Sequence, residues 1–254
     1  MGSGSEGNAL LVECRDGERV VRILVDCGFG LREARRRLES LGVAVDELDA
    51  ILVTHEHSDH IGGAYRLAAS ANVPLHLTYG TMRAVLPPEN MTPLWSFIDP
   101  GKTFDIGGVY VQPFAVPHDA REPVQFVFDD GRHRLGVVTD LGFCSAHVVR
   151  SLDRLDALVL ESNHDEHMLE RSAYPWSLKK RISSDYGHLS NEAAGQLLAR
   201  IDQSRLNHVL AAHLSRQNNR PELAQAALAK AWGVSPEEIG IVDQDAGLCW
   251  VDLE

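Results

Sequence analysis

Thr54-His55-Glu56-His57-Ser58-Asp59-His60-Ile61-Gly62-Gly63 follows directly on the apolar run Ala50-Ile51-Leu52-Val53. It sets three imidazoles and the carboxylate of Asp59 within six positions. A solvated loop has little physical reason to concentrate such donors. A pair of divalent ions does, because imidazole and carboxylate suit zinc and its first-row neighbours. Side chains at i and i+2 of an extended backbone project to the same side, so His55 and His57 can share one ion. Asp59 and His60 fall beyond the turn, within reach of a second. The spacing differs from the helical His-Glu-x-x-His pattern, whose two ligands are four apart. The competing reading is a polar surface loop that happens to be rich in histidine, and what recurs downstream weakens it.

With 254 residues, 44% of them apolar and 24% charged, the chain can bury a substantial core. The formal charge of −12 argues against nonspecific coating of nucleic acid or anionic membrane, although a local basic groove stays compatible with it. Cys14, Cys27, Cys144 and Cys249 are scattered without a Cys-x-x-Cys pair, which excludes a cysteine zinc ribbon and gives no disulfide framework. Met1 to Asn8 lacks the basic region and apolar core of a signal peptide, and no apolar run approaches a membrane span. The expectation is a cytoplasmic protein with no membrane partner; oligomeric state is not readable.

Ala9–Glu13 and Val20–Val25 read as strands joined across Arg15-Asp16-Gly17-Glu18. Leu31–Leu41 is an arginine-rich amphipathic helix closed by Gly42. Ile51–Val53 is a buried strand entering the histidine loop, with a helix at Ala64–Ala71 after it. Strands are expected at Leu75–Thr78, Val109–Val116, Val124–Phe128, Arg134–Thr139, Ala157–Leu160, Val209–Ala212, Ile239–Val242 and Leu248–Val251. Helices are expected at Ala146–Leu152, Asn191–Ile201 and Glu222–Trp232. Two sheets with helices outside, folded as one domain over residues 1–254, fit this order.

Four further segments share one format, a strand ending in a polar residue: Val116-Pro117-His118-Asp119, Val138-Thr139-Asp140-Leu141-Gly142, Leu160-Glu161-Ser162-Asn163-His164-Asp165 and Ala211-Ala212-His213-Leu214-Ser215. Strand ends are where a rigid scaffold presents reactive groups. Taken singly, each has a plain structural reading: a hydrogen-bonded histidine, or Asp140 as a helix cap.

The ordered set Asp26, His55-x-His57-x-Asp59-His60, His118, Asp140 and His213 resembles the metallo-β-lactamase fold in its phosphodiesterase branch. The resemblance covers nearly the whole chain. It implies an α/β fold, a four-layer αββα sandwich with a dinuclear site at one edge. It also implies that His55, His57 and His118 hold one ion, that Asp59, His60 and His213 hold the other, and that Asp140 bridges them. Asp26 is similar to the buried aspartate that supports the metal loop. The implied cofactors are two divalent ions, Zn²⁺ or Mn²⁺ with Fe as a third choice, since the ligand set has no thiolate.

Glu161-Ser162 and Gly187-His188-Leu189-Ser190 resemble segments of ribonuclease Z, which implies that Glu161 orients His188 and that His188 assists the leaving oxygen. Asp59 would accept the proton of the attacking water besides binding metal. The plain alternative for Glu161 and His188 is a helix cap and a surface salt bridge. The chain has neither the long arm of ribonuclease Z nor room between Asp140 and His213 for a β-CASP domain.

Further matches, Gly4-Ser5-Glu6-Gly7-Asn8, Glu161 to Asp165, Tyr174 to Lys179, Arg181 to Asn191 and His213 to Asn219, resemble the YycJ/WalJ-type group of small bacterial proteins. That resemblance implies a 5′-to-3′ exonuclease acting on DNA ends in repair. The segment from His164 to Ser184 has the composition of a lid, with Tyr174 and Trp176 beside the basic run Lys179-Lys180-Arg181. Aromatics stack on bases and cations grip phosphates, so Asn8, His164, Trp176, Lys179, Lys180 and Arg181 are the candidate substrate contacts. The alternative has Trp176 packed under the helix and the basic run solvated. Rival functions are a small-molecule (cyclic) phosphodiesterase, which the acidic charge favours, a glyoxalase-type thioester hydrolase, and a metal-binding module without turnover.

Overall fold

The computed structural model describes residues 1–85 and 94–253. Two compact units divide the chain. The first comprises Met1–Ala115, Ala120–Val124 and Gln244–Val251; the second comprises Val116–Asp119, Gln125–Asp243 and the residues after Val251.

The first unit begins with the antiparallel hairpin β1 (Leu10–Asp16) and β2 (Arg19–Val25), closed at Gly17 with φ +62. A five-stranded sheet continues in the order β1-β2-β3-β4-β5, with β3 (Ala50–Leu52), β4 (Pro74–Thr78) and β5 (Leu94–Ile98) paired in parallel. All three residues of β3 are buried, as expected of a central parallel strand covered on both faces. Helices α1 (Leu31–Ser40), α2 (Ser58–Ile61), α3 (Ala64–Ala71) and α4 (Tyr79–Ala84) lie between the strands, and the hairpin β6 (Phe104–Ile106) and β7 (Val109–Ala115) follows. The core joins Leu24, Ile51, Val53, Leu75 and Leu77 of the sheet to Ala34 and Leu38 of α1 and Leu67 of α3.

The second unit carries β8 (Val124–Asp129), β9 (Arg134–Val138), β10 (Ala157–Glu161), β11 (His208–Ala212) and β12 (Ile239–Ile241), ordered β12-β11-β10-β9-β8. The pair β8–β9 is antiparallel; β9, β10, β11 and β12 run parallel. Helices α5 (Ala146–Ser151), α6 (Glu166–Arg171), α7 (Trp176–Ile182), α8 (Asn191–Leu198) and α9 (Pro221–Trp232) complete it. The mixed α/β architecture of two sheets flanked by helices is the expected one.

One local expectation needs correction. Leu248–Val251 is not a strand: it joins no ladder, and Trp250 instead donates its Nε1–H to the carbonyl of Leu41 at the end of α1. The segment with the composition of a lid carries two helices: Asp165 caps α6 by accepting the Met168 N–H at 2.8 Å, and Pro175 precedes α7. No helix among the described residues is long and apolar enough to cross a membrane.

Candidate metal centre

In the first unit the parallel register places Val25 beside Leu52, so the chain leaves β2 and β3 at the same level. Asp26 and Thr54 therefore meet. Asp26 Oδ1 accepts the Thr54 N–H at 2.8 Å, and its Oδ2 accepts the Thr54 hydroxyl at 2.9 Å and His60 Nδ1–H at 2.8 Å. Asp26 achieves this with a left-handed backbone, φ +60, a conformation that costs a non-glycine residue about 1–2 kcal/mol. Its full burial is offset by these donors, each a charge-assisted hydrogen bond.

These contacts set tautomers. His60 spends its Nδ1–H on Asp26, so its Nε2 keeps a lone pair. The Thr54 hydroxyl donates to Asp26 and accepts from His55 Nδ1 at 3.0 Å, so His55 likewise presents Nε2 as an acceptor. That Nε2 lies 2.9 Å from His57 Nδ1, a separation two facing lone pairs tolerate only with a proton or a cation between them. Asn8 contacts the loop itself: its Nδ2–H groups reach His60 Nε2 at 3.0 Å, Asp59 Oδ2 at 3.3 Å and the Gly4 carbonyl at 3.1 Å.

In the second unit three parallel strands end side by side. Leu160 is in register with Val138, and Glu161 with Ala212, which brings Asp140, Glu161 and His213 to one edge. Ligand atoms of Asp140, Glu161, His188 and His213 lie within 4.8 Å of one another. Glu161 is fully buried; its Oε2 accepts the N–H groups of Leu141 at 2.9 Å and Leu189 at 3.1 Å. Its Oε1 lies 2.7 Å from His188 Nδ1 and 3.2 Å from His213 Nδ1. Asp140 Oδ1 lies 3.2 Å from His188 Nδ1, 3.6 Å from His213 Nδ1 and 3.7 Å from His118 Nε2.

His118 donates Nδ1–H to the Gly187 carbonyl at 3.0 Å and so presents Nε2. Burial lowers the pKa of His118 against the pull of Asp140, favouring the neutral ring a metal requires. His188 behaves oppositely. Burial disfavours its charge, but Glu161 and Asp140 outweigh that and push its pKa up to about 10. The Glu161 carboxyl is held below its ordinary range: burial works against this, and the charge of His188 prevails.

Each set fits a divalent ion by donor chemistry. The donors are imidazole nitrogen and carboxylate oxygen, with carboxylates behind His60 and His213 in the outer position that normally orients metal-bound histidines. Among the described residues no cysteine joins a candidate donor set; burial pushes the Cys27 thiol up to about 12 and also raises that of Cys144.

The remaining expected contacts fall as follows. Trp176, the first residue of α7, is 77% exposed, which removes the reading in which it packs beneath the helix. Lys180 is exposed, Lys179 donates to the Glu170 carbonyl at 2.6 Å, and Arg181 pairs with Asp119 at 2.5 Å. His164 is buried, bridges Ser190 in a short parallel contact, and leaves Nδ1 without a hydrogen-bond partner.

Sequence reasoning passed over Thr54 and Asn163. Thr54 couples Asp26 to His55. Asn163 donates to the His213 carbonyl at 3.0 Å and steadies another left-handed residue, φ +56. The only advance signal was that each is a polar residue two positions beyond the end of a buried strand.

A model of the β-lactamase superfamily domain matches residues 21–209. Exodeoxyribonuclease YycJ of Bacillus anthracis is 36% identical over 96% of this chain and 94% of its own. Exodeoxyribonuclease WalJ of Streptococcus pneumoniae is 31% identical over 95% of this chain and 90% of its own. Among solved structures, the metallo-β-lactamase fold protein YhfI of Bacillus subtilis superposes with a TM-score of 0.73 at 15% identity, covering 98% of this chain and 97% of that one, a likeness of fold.

Proposed function

The chain belongs to the β-lactamase superfamily and has the metallo-β-lactamase fold, and from that premise we propose that it hydrolyses phosphodiester bonds of DNA from the 5′ end, using two divalent ions. The observation that carries this reading is the matched pair of buried carboxylates. Asp26 and Glu161 each fix a histidine so that its other nitrogen is offered outward. The exodeoxyribonuclease names of relatives aligned over most of the chain supply the substrate class. The polarity and the restriction to DNA are part of the proposal.

His55, His57 and His118 would hold one ion, Asp59, His60 and His213 the other, and Asp140 would serve both. Zn²⁺ or Mn²⁺ suits these donors, with iron third. Bound divalent ions bring the pKa of water toward neutrality and stabilise charge on phosphoryl oxygens. Asp59 accepts the proton released by the attacking water. His188 would spend Nδ1–H on Glu161 and offer Nε2–H to the leaving oxygen. Trp176, Lys180 and Arg181 line the route of the strand, the ring for stacking and the cations for phosphates. The protein would act on DNA ends in the cytoplasm.

The test is digestion of 5′-labelled single- and double-stranded DNA and RNA with Mn²⁺ or Zn²⁺. Labelled mononucleotide should appear first from DNA. Hydrolysis of bis(p-nitrophenyl) phosphate without any DNA product would overturn the reading in favour of a small cyclic phosphodiester, the substrate that a net charge of −12 favours.

A further inference from the structure

The first unit contains a cleft of about 530 Å³ lined by Gly30, Leu31, Arg32, Glu33 and Arg66. Arg32 stands in the first turn of α1 and Arg66 in the first turn of α3; both are exposed. Neither guanidinium has an ion-pair or hydrogen-bond partner among the described residues. Their neighbours differ. Arg36 and Arg37 hold Glu33 at 2.6 and 2.7 Å, Arg35 reaches Ser70 at 2.5 Å, and Arg22 pairs with Glu13 and Glu47.

The charge balance of the cleft follows. Glu33 is an anion, held down to about 2 chiefly by the hydrogen bond from Arg36. Its charge is answered by Arg36 and Arg37, which leaves the charges of Arg32 and Arg66 uncompensated. A chain with a net charge of −12 thus has an open surface of positive sign here. A surface of one sign of charge attracts ligands of the opposite sign.

Location supplies the occupant. The segment leading into the cleft is tied to the histidine loop: Cys27 N–H donates to the His60 carbonyl, Gly63 N–H to the Cys27 carbonyl, both at 2.7 Å, and Gly28 N–H to the Asn8 carbonyl at 3.0 Å. Helix α3, which carries Arg66, begins right after Gly63. A strand whose reacting phosphodiester lies at the histidine loop would extend its next phosphates over this face.

We propose that Arg32 and Arg66 form a phosphate subsite that grips the sugar-phosphate backbone of the bound strand beyond the bond being cut. This rests on the nuclease reading and deepens it. Guanidinium forks match phosphate oxygens in pairs and read no base, so the subsite serves any sequence.

The experiment compares the wild type with Arg32→Gln/Arg66→Gln and Arg32→Lys/Arg66→Lys, all metal-loaded. Binding of a single strand of about twenty nucleotides is followed by fluorescence anisotropy across a salt series. The slope of log K against log salt should fall by about 1.4 in the glutamine variant, at about 0.7 per phosphate contact, and should return in the lysine variant. DNA turnover should fall relative to that of bis(p-nitrophenyl) phosphate, which carries no second phosphate for the cleft to grip. Equal slopes and an unchanged turnover ratio, with a wild type that digests DNA, overturn the subsite alone. A wild type that neither binds nor digests DNA overturns the nuclease reading and the subsite with it.

Discussion

Glu161 Oε1 accepts the Nδ1–H of His188 at 2.7 Å from beneath, where Glu161 has no exposure at all. A buried carboxylate so placed keeps the imidazole charged well above its ordinary range, up to about 10. His188 raised in this way is protonated below about 10 and loses its proton as pH rises through that value. The alkaline limb of the kcat profile should therefore lie high in the wild type. In Glu161→Gln, at saturating metal, the limb should move to lower pH, because the charge that sustained the imidazolium is gone. His188→Ala should lower kcat by about 10²–10⁴, the usual worth of a positioned acid. Identical pH profiles for wild type and Glu161→Gln would refute the role.

Among the described residues, Asp26 reaches the candidate metal ligands through Thr54 and His60. Asp26→Asn keeps a residue type that tolerates φ +60 but replaces an acceptor of His60 Nδ1–H with an amide. Metal affinity should fall about 10- to 100-fold, measured by chelator competition and metal analysis of the dialysed protein. Undiminished affinity would show that the loop does not depend on this carboxylate.

The extent to which the sequence disclosed this site follows from the range of each signal. His55, His57, Asp59 and His60 are neighbours in the chain, so backbone periodicity alone groups them. Asp140, Glu161 and His213 come together through the register of three parallel strands, and each alone reads as an ordinary strand end. The resemblance implied that Glu161 orients His188; its second contact, with His213, was beyond reach, since a bifurcated contact depends on angstrom-scale placement. Leu248–Val251 misled because a short apolar run carries no information about whether a ladder partner exists.

His76 supplies a test of stability apart from the candidate metal ligands. It lies in β4, stacked on Phe104 with centroids 5.3 Å apart, and burial lowers its pKa to about 4 from 6.5. Above pH 6.5 the ring is neutral in both states and its contribution to stability is complete. As pH falls from 6.5 toward 4 the unfolded chain takes up the proton first, and stability is lost. The midpoint of thermal unfolding should drop across that window more steeply in the wild type than in His76→Phe. Parallel curves would contradict the assignment.

Trp176 has little to gain from packing where it stands, being 77% exposed at the start of α7. Trp176→Ala should leave the melting temperature almost unchanged while raising KM for single-stranded DNA roughly five- to a hundred-fold, the worth of one stacked base. An unaltered KM would return the residue to the solvated surface.

Gly28 permits the loop its shape. A Cβ at this position would fall within the carbonyl of Asp59, the same carbonyl that accepts the Asn8 N–H at 2.7 Å. The overlap is with backbone, which cannot swing aside as a side-chain end does. Gly28→Ala must displace Asp59 or separate it from Asn8, and Asp59 is next to His60 in the chain. The strain should cost about 1–3 kcal/mol, as for other overpacked sites. Gly30→Ala is the control, since nothing lies within 4 Å of a Cβ there. A lower unfolding midpoint with weaker metal binding in Gly28→Ala, and neither in Gly30→Ala, is the expected result. Equal behaviour of the two variants would mean that the loop adapts, and that the position of Asp59 is not fixed by its contact with residue 28.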